Sequence, residues 1–213
     1  MNSIWYVYSN TQVRYINEQA RDTMKKMKKL MVTSMRLFIA VPVSEEVSIE
    51  LERWVTTNRE EVLFRKWVHP SDYHITLQFL GETHVDKIEA LHACLGAIQA
   101  SPFPLSLNKS GYFGRPNSPS VLWWDLLDDS GGLHDLHRKV VQATNHNGYE
   151  MEKREYVPHI TIARNYIGNN RFPAEKIKSI PSEKNWIVDR FTLMRTCSHI
   201  SPMYKVLGSY PLK

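Results

Sequence analysis

The sequence has little cysteine, no long apolar run and almost no charge imbalance over most of its length. Its 213 residues include only two cysteines, Cys94 and Cys197. Two isolated cysteines give neither a disulfide framework nor the paired spacing of a structural zinc site. We therefore expect reduced thiols and a cytoplasmic protein. No apolar run approaches the roughly 20 residues of a membrane-spanning helix, so we expect no membrane partner.

The net charge of +5 does not indicate a long nucleic-acid-binding surface. Residues 1–34 contain six of the 27 basic residues and two of the 22 acidic ones. The remaining 21 basic and 20 acidic residues nearly cancel. Since a surface that follows a phosphate backbone needs many uncompensated cations, this balance favours a small anionic substrate or a short RNA end.

Residues 1–34 are polar and basic and differ from the rest of the chain. Met35 then opens the apolar segment MRLFIAVPV, a natural start for a domain. Two explanations stay open for the N-terminal extension: a flexible or helical arm, or a start codon assigned too far upstream. We favour the second, expect no function there, and assign residues 35–213 to one domain.

Beyond the extension, strand and helix patterns alternate. Apolar alternation predicts strands at 36–43, 73–81, 103–114, 120–128, 158–164, 187–197 and 204–210. Apolar spacings of three and four residues predict helices from Ser44, from Thr83 to about Gln99, and within 131–148. Strands outnumber helices, and hairpins mix with crossovers. This is typical of an α+β fold with mostly antiparallel sheets backed by helices.

The tripeptide His-Ile-Thr occurs twice, in YHITLQFL at residues 73–80 and in PHITIAR at 158–164. Side chains at i and i+2 of a strand share a face. His74 therefore lies beside Thr76, and His159 beside Thr161, while the isoleucines face the core. If the two strands occupy corresponding places about a pseudo-twofold axis, they meet face to face and form a pocket with two imidazoles and two hydroxyls.

Two imidazoles suit phosphodiester cleavage near neutral pH. A neutral ring takes a proton from the attacking oxygen, and a protonated ring gives one to the leaving oxygen. Hydroxyls can donate to phosphate oxygens. Either pair alone would more often be an inert polar pair on an edge strand, but the repetition favours chemistry. A zinc site is a further alternative, although two histidines and two threonines are a poor ligand set for zinc.

Five segments together resemble the 2H phosphoesterase superfamily. They are RLFIAVPV, WVHPSDYHITLQFLGE, SVLWWDL, YVPHITIAR and the tail FTLMRTC…YKVLGSYPL, and they span about residues 36–212. The similarity is to the bacterial branch that is named for 2′–5′ RNA ligase and described as RNA 2′,3′-cyclic phosphodiesterases. It implies two lobes with the active-site cleft between them, His74 as proton donor, and His159 as the proton acceptor that activates water. Thr76 and Thr161 would then bind the phosphate.

Two further polar residues are weaker candidates for substrate binding. The guanidinium of Arg164 suits phosphate oxygens, but strict alternation puts it on the face opposite His159 unless the strand bends there. Gln78 shares the predicted face of His74 and could line the pocket.

Aromatic residues near the motifs are candidates for stacking on a base. Trp67 and Tyr73 flank the first motif, although each residue type more often belongs to a core. Of the neighbouring Trp123 and Trp124, we expect one ring in the core and one in the cleft.

The sequence thus predicts a metal-independent RNA 2′,3′-cyclic phosphodiesterase that needs no cofactor and leaves a 2′-phosphomonoester. Its expected partners are RNA ends or small nucleotide cyclic phosphates, and it is expected to be a monomer. Two alternatives stay open: 2′–5′ RNA ligase or 2′–5′ phosphodiesterase activity at the same site, and a nucleotide-binding module without turnover.

Overall fold

The computed structural model describes residues 33–168, 171–175, 177 and 184–213, together with Gln19 and Arg21. The N-terminal extension therefore lies almost wholly outside the described residues. Ser34, which the expected boundary assigns to the extension, is the first residue of a strand. None of the helices in the described ranges is long and apolar enough to cross a membrane.

The described chain contains nine strands and three α-helices, which confirms the α+β class. The strands are β1 (Ser34–Pro42), β2 (Phe64–Trp67), β3 (His74–His84), β4 (Phe103–Arg115), β5 (Ser118–Leu127), β6 (His159–Tyr166), β7 (Asn185–Val188), β8 (Arg190–Thr196) and β9 (Tyr204–Pro211). The helices are α1 (Glu45–Asn58), α2 (Ile88–Gly96) and α3 (Gly132–Asn145). Short 3-10 turns lie at Pro70–Asp72 and Val85–Lys87.

All nine strands belong to one antiparallel sheet, in the order β7-β4-β5-β6-β3-β1-β8-β9, with β2 paired to β6. β3 and β6 meet through a single residue pair, Ile75 with Ile160. This pair joins one half of the sheet, β7-β4-β5-β6 with β2 beside β6, to the other half, β3-β1-β8-β9. These two halves are the two lobes. The repeated tripeptides therefore lie side by side at the junction of the lobes, rather than face to face across a gap.

The two faces of the sheet carry different clusters. The main core contains Leu37, Ile39 and Val41 of β1, the inner isoleucines of both motifs, and the buried faces of all three helices. Burying each such aliphatic side chain stabilises the fold by about 1.5–3 kcal/mol. Among the described residues, the opposite face carries a small cluster of Phe38, Ala40 and Met194, with Tyr204 packed against it. That second face holds the cleft.

The start of α1 follows the sequence prediction. The Ser44 hydroxyl accepts a hydrogen bond from the amide of Val47 at 3.3 Å, which satisfies one of the free donors of the first turn. Glu45 and Glu46 occupy that turn, where negative charge is favoured by the helix dipole.

The predicted start of the second helix is wrong. Thr83 does not cap a helix, because β3 continues to His84 and pairs with β1 along its whole length, with Thr83 opposite Met35. Thr83 is buried in this pairing. α2 begins only at Ile88, after the 3-10 turn.

The predicted single strand at 187–197 is also wrong. The chain is divided at Asp189 into β7, which pairs with β4, and β8, which pairs with β1. These two strands lie in different lobes, so a run that looks continuous in sequence crosses from one half of the sheet to the other. The four-residue strand β2 has no counterpart in the sequence prediction.

Candidate active site

The two motif histidines are held in the same way. The Nδ1 atom of His74 is 2.7 Å from the carbonyl oxygen of Asp72, and that of His159 is 2.8 Å from the carbonyl oxygen of Val157. Each carbonyl belongs to the residue two positions earlier. Because a carbonyl oxygen only accepts, each Nδ1 carries a hydrogen. The Nε2 atom of each neutral ring is then the one left to accept or donate a proton in the cleft.

The two threonines accompany the histidines on the cleft face. Around the Ile75–Ile160 pair, the antiparallel register puts His74 opposite Thr161 and Thr76 opposite His159. Both threonines are partly exposed. No hydrogen bond joins either hydroxyl to another described residue, so both hydroxyls are available to donate to a phosphate.

Burial lowers the pKa of both imidazoles. For His74 burial is the largest cause and brings the pKa to about 4, with smaller lowering by the positive charges of Arg164 and His159. For His159 burial is again the largest cause, and Arg164 also lowers the pKa while Asp125 raises it. The hydrogen bonds to the carbonyls act against burial in both rings. Both rings are therefore mainly neutral at pH 7.

A β-bulge turns Arg164 into the cleft. The pairing of β5 with β6 passes from Trp123–Thr161 to Leu122–Ala163 and skips Ile162. Ile162 and Ala163 are consequently both buried, and the next side chain, Arg164, lies on the face of His159. This bulge is the bend that Arg164 needs in order to share a face with His159 and to be a candidate for binding phosphate. Its charge acts on both imidazoles, although its side chain is otherwise exposed.

A second bulge, at the matching place in β3, moves Gln78 out of the cleft. The pairing with β1 passes from Ile39–Gln78 to Ala40–Thr76 and skips Leu77. The Gln78 side chain is buried on the helix side, where the Thr144 hydroxyl donates to its amide oxygen at 2.6 Å. The expectation that Gln78 lines the pocket is therefore wrong. Phe79 takes the cleft face instead, with 68% of its surface exposed and its ring centroid 6.1 Å from that of Phe38.

The aromatic candidates divide between core and cleft. Tyr73 is buried in the main core, which is the placement that the sequence favoured over stacking on a base. Trp67 packs edge-on against Phe64 and also lines a small cavity beside the cleft. Trp124 is fully buried, whereas the Trp123 ring lies 6.0 Å from that of His159. The prediction of one core and one cleft tryptophan is confirmed.

Three aromatic rings that contact the motif histidines are not among the site residues that the sequence predicts. Phe38 lies 4.9 Å from His74 between ring centroids, and the other two are Phe113 and Tyr204. Phe113 meets His159 edge-on at 5.1 Å between centroids, and Tyr204 meets His74 edge-on at 5.0 Å. The sequence contains one local signal for the placement of Phe113. Gly111 faces Trp123 in the β4–β5 hairpin, and a Cβ at Gly111 would lie 2.4 Å from the indole. The glycine leaves room for the indole to lie across β4 beside Phe113.

Metal-ligating side chains do not converge in the described part of the chain. No group of three or more histidine, cysteine, aspartate or glutamate side chains there is placed to hold a metal ion.

Comparison with known proteins gives concordant matches. The family model described as the 2′-5′ RNA ligase superfamily matches residues 43–199. An RNA 2′,3′-cyclic phosphodiesterase of Geobacillus stearothermophilus is 34% identical over 82% of this chain, and the match spans 56% of that protein's length. One of Bacillus subtilis is 33% identical over 82% of this chain and 95% of its own.

Solved structures show the same fold. The crystal structure of Escherichia coli LigT complexed with 3′-AMP has a TM-score of 0.72 at 25% identity, covering 84% of this chain and 99% of that one. A Thermus thermophilus structure has a TM-score of 0.70 at 28% identity, covering 84% and 98%.

Proposed function

Because this chain belongs to the 2′-5′ RNA ligase superfamily, we propose that it hydrolyses RNA 2′,3′-cyclic phosphodiester ends to 2′-phosphomonoesters by a two-histidine acid/base mechanism. The observation that carries the proposal is the pair of imidazoles in adjoining strands, His74 and His159, each anchored through Nδ1 to a carbonyl. The names of the relatives from Geobacillus and Bacillus support the substrate class.

In the proposed reaction, Nε2 of His159 takes a proton from water as the water oxygen forms a bond to phosphorus. The bond from phosphorus to O3′ breaks, and Nε2 of His74 gives its proton to O3′. The phosphate stays on O2′. A positioned acid or base of this kind contributes about 10²- to 10⁴-fold to the rate.

This scheme requires His74 to be protonated when the substrate is bound, although burial lowers the pKa of its ring. An anionic phosphodiester beside the ring favours the imidazolium and raises that pKa. The substrate thus supplies the charge that keeps the acid protonated. Arg164 would balance the phosphate charge, and the hydroxyls of Thr76 and Thr161 would donate to its non-bridging oxygens.

Every proton transfer in this scheme belongs to a side chain, so we propose a reaction without a metal or cofactor. The two motifs meet within a single copy of the chain, and we propose a monomer as the active form. The two cysteines are free thiols, and this supports a cytoplasmic location. Crystal structures of E. coli LigT hold 3′-AMP and NADP+, which supports RNA ends or small nucleotide cyclic phosphates as partners.

The test is incubation of the full chain, in excess EDTA, with an oligoribonucleotide that ends in a 2′,3′-cyclic phosphate. We expect the product to gain the mass of one water and to release phosphate to a phosphatase, which cannot act on the cyclic ester. His146→Ala, at an exposed histidine after α3, is the matched control for His159→Ala.

Three results would contradict the proposal. Binding without turnover would indicate a nucleotide-binding module. Cleavage confined to a 2′–5′-linked dinucleotide would indicate a 2′–5′ phosphodiesterase. Activity that EDTA abolishes and added zinc or manganese restores would contradict the two-histidine mechanism.

A further inference from the structure

We propose that a small cavity beside the cleft binds the phosphodiester that precedes the cyclic phosphate in an RNA chain. We call it the side pocket; its walls include Lys66, Trp67, His69, Asp72, Arg164 and Tyr204. This inference rests on the proposed function, because it names the part of the RNA that the enzyme recognises next to the reacting group.

The side pocket shares two walls with the catalytic cleft. The Tyr204 ring meets the His74 ring at 5.0 Å, and Arg164 acts electrostatically on both imidazoles. Asp72 supplies the carbonyl that holds His74. A group bound in the side pocket therefore lies next to a phosphate bound between the histidines.

Two cations are set opposite each other in this pocket. Lys66 of β2 and Arg164 of β6 are direct partners in the antiparallel register, and like charges directly opposite each other in a sheet are destabilising. No carboxylate of the described residues forms an ion pair with either one. The Lys66 ammonium lies 3.4 Å from the Met203 sulfur, which is only a weak acceptor. An anion between the two side chains would remove this repulsion.

The one carboxylate in the wall of the pocket is already engaged. The oxygens of Asp72 accept hydrogen bonds from the amides of Met203 at 2.8 Å and Tyr204 at 3.0 Å. His69 adds a further donor: its Nδ1 accepts from the Ser71 amide at 3.1 Å, so the hydrogen of the neutral ring lies on Nε2. Apart from His69, the lining carries two positive charges, on Lys66 and Arg164, and one negative charge, on Asp72.

The size of the pocket selects the ligand. Its volume is about 70 Å³, whereas pockets that enclose a drug-sized molecule measure about 300–1,000 Å³. A single phosphate group matches this space, and a whole nucleoside does not. Consequently a dinucleotide with a 2′,3′-cyclic phosphate end can use the pocket, whereas a mononucleoside 2′,3′-cyclic phosphate has no group to place there.

The experiment compares kcat/KM for adenylyl-adenosine 2′,3′-cyclic phosphate with that for adenosine 2′,3′-cyclic phosphate. We expect wild type to prefer the dinucleotide, mainly through KM. Lys66→Met should reduce this preference about 10-fold, which corresponds to about 1.4 kcal/mol, because it removes one charge-assisted hydrogen bond to the phosphodiester. It should also weaken the salt dependence of KM for the dinucleotide, because salt then screens one fewer attraction between a cation and the phosphodiester.

Arg65→Met is the matched control, because Arg65 is an exposed neighbour of like charge that does not line the pocket. It should retain the wild-type preference. Equal kcat/KM for both substrates in wild type, or equal effects of Lys66→Met and Arg65→Met, would overturn the side-pocket assignment. Failure of wild type to turn over either substrate would instead contradict the proposed function.

Discussion

Acidification should destabilise the ligand-free protein through His74. Burial is the main cause that lowers the pKa of this imidazole from 6.5 to about 4 in the folded chain. Between these two values the unfolded chain binds a proton that the folded chain does not. The stability that the folded chain has with His74 neutral is therefore fully present above pH 6.5, and it is lost progressively as the pH falls toward 4. At pH 5 linkage gives a loss of about 2 kcal/mol.

Urea unfolding at pH 7.5 and pH 5.0 measures this loss. The free energy of unfolding of wild type should fall by about 2 kcal/mol more than that of His74→Gln, which has no imidazole to protonate. His146→Gln controls for removing one exposed ring. Inorganic phosphate should shrink the difference, because an anion in the cleft favours the imidazolium. Parallel falls in wild type and His74→Gln would refute the reasoning.

Three further predictions concern the site and its surroundings. In a pH series, the profile of kcat/KM should be bell-shaped, and its optimum should lie at a lower pH than the optimum of kcat. The reason is that both imidazole pKa values are lowered in the free enzyme and raised by bound phosphate. Coincident profiles of kcat/KM and kcat would contradict this. His74→Ala and His159→Ala should each lower kcat by about 10²- to 10⁴-fold. Thr76→Val and Thr161→Val should lower kcat less in the same assay. Near-wild-type turnover by a folded His159→Ala would show that the repeated tripeptide has a structural role only. Asp72→Ala should lower the free energy of unfolding by about 1–3 kcal/mol, because two amides lose their acceptor; unchanged urea midpoints would contradict it.

The repeated motif could be placed from sequence because it combines a strict period of two with a second copy. Alternation fixed which side chains of each tripeptide share a face, and the structure has both histidines beside their threonines. The bulges could not be read in the same way. A bulge adds one residue to one strand of a pair, and nothing in LQF or IAR marks it. Alternation consequently put Gln78 in the cleft and turned Arg164 away from it.

The remaining differences between the sequence prediction and the structure come from pairing between segments that are distant in sequence. β7 and β8 follow each other closely in sequence, but β7 pairs with β4 and β8 with β1. Tyr204 reaches His74 because Asp72 binds the backbone 131 and 132 residues further along the chain. Local periodicity contains no information on such contacts.

The most direct test of the central claim is ³¹P NMR of the product formed in EDTA from a nucleoside 2′,3′-cyclic phosphate, with wild type, His74→Ala, His159→Ala and His146→Ala in parallel. The proposed mechanism, in which His159 activates water and His74 protonates O3′, predicts a 2′-phosphomonoester from wild type and from His146→Ala, and almost none from the other two variants. A 3′-phosphomonoester, or undiminished product from folded His74→Ala or His159→Ala, would contradict it.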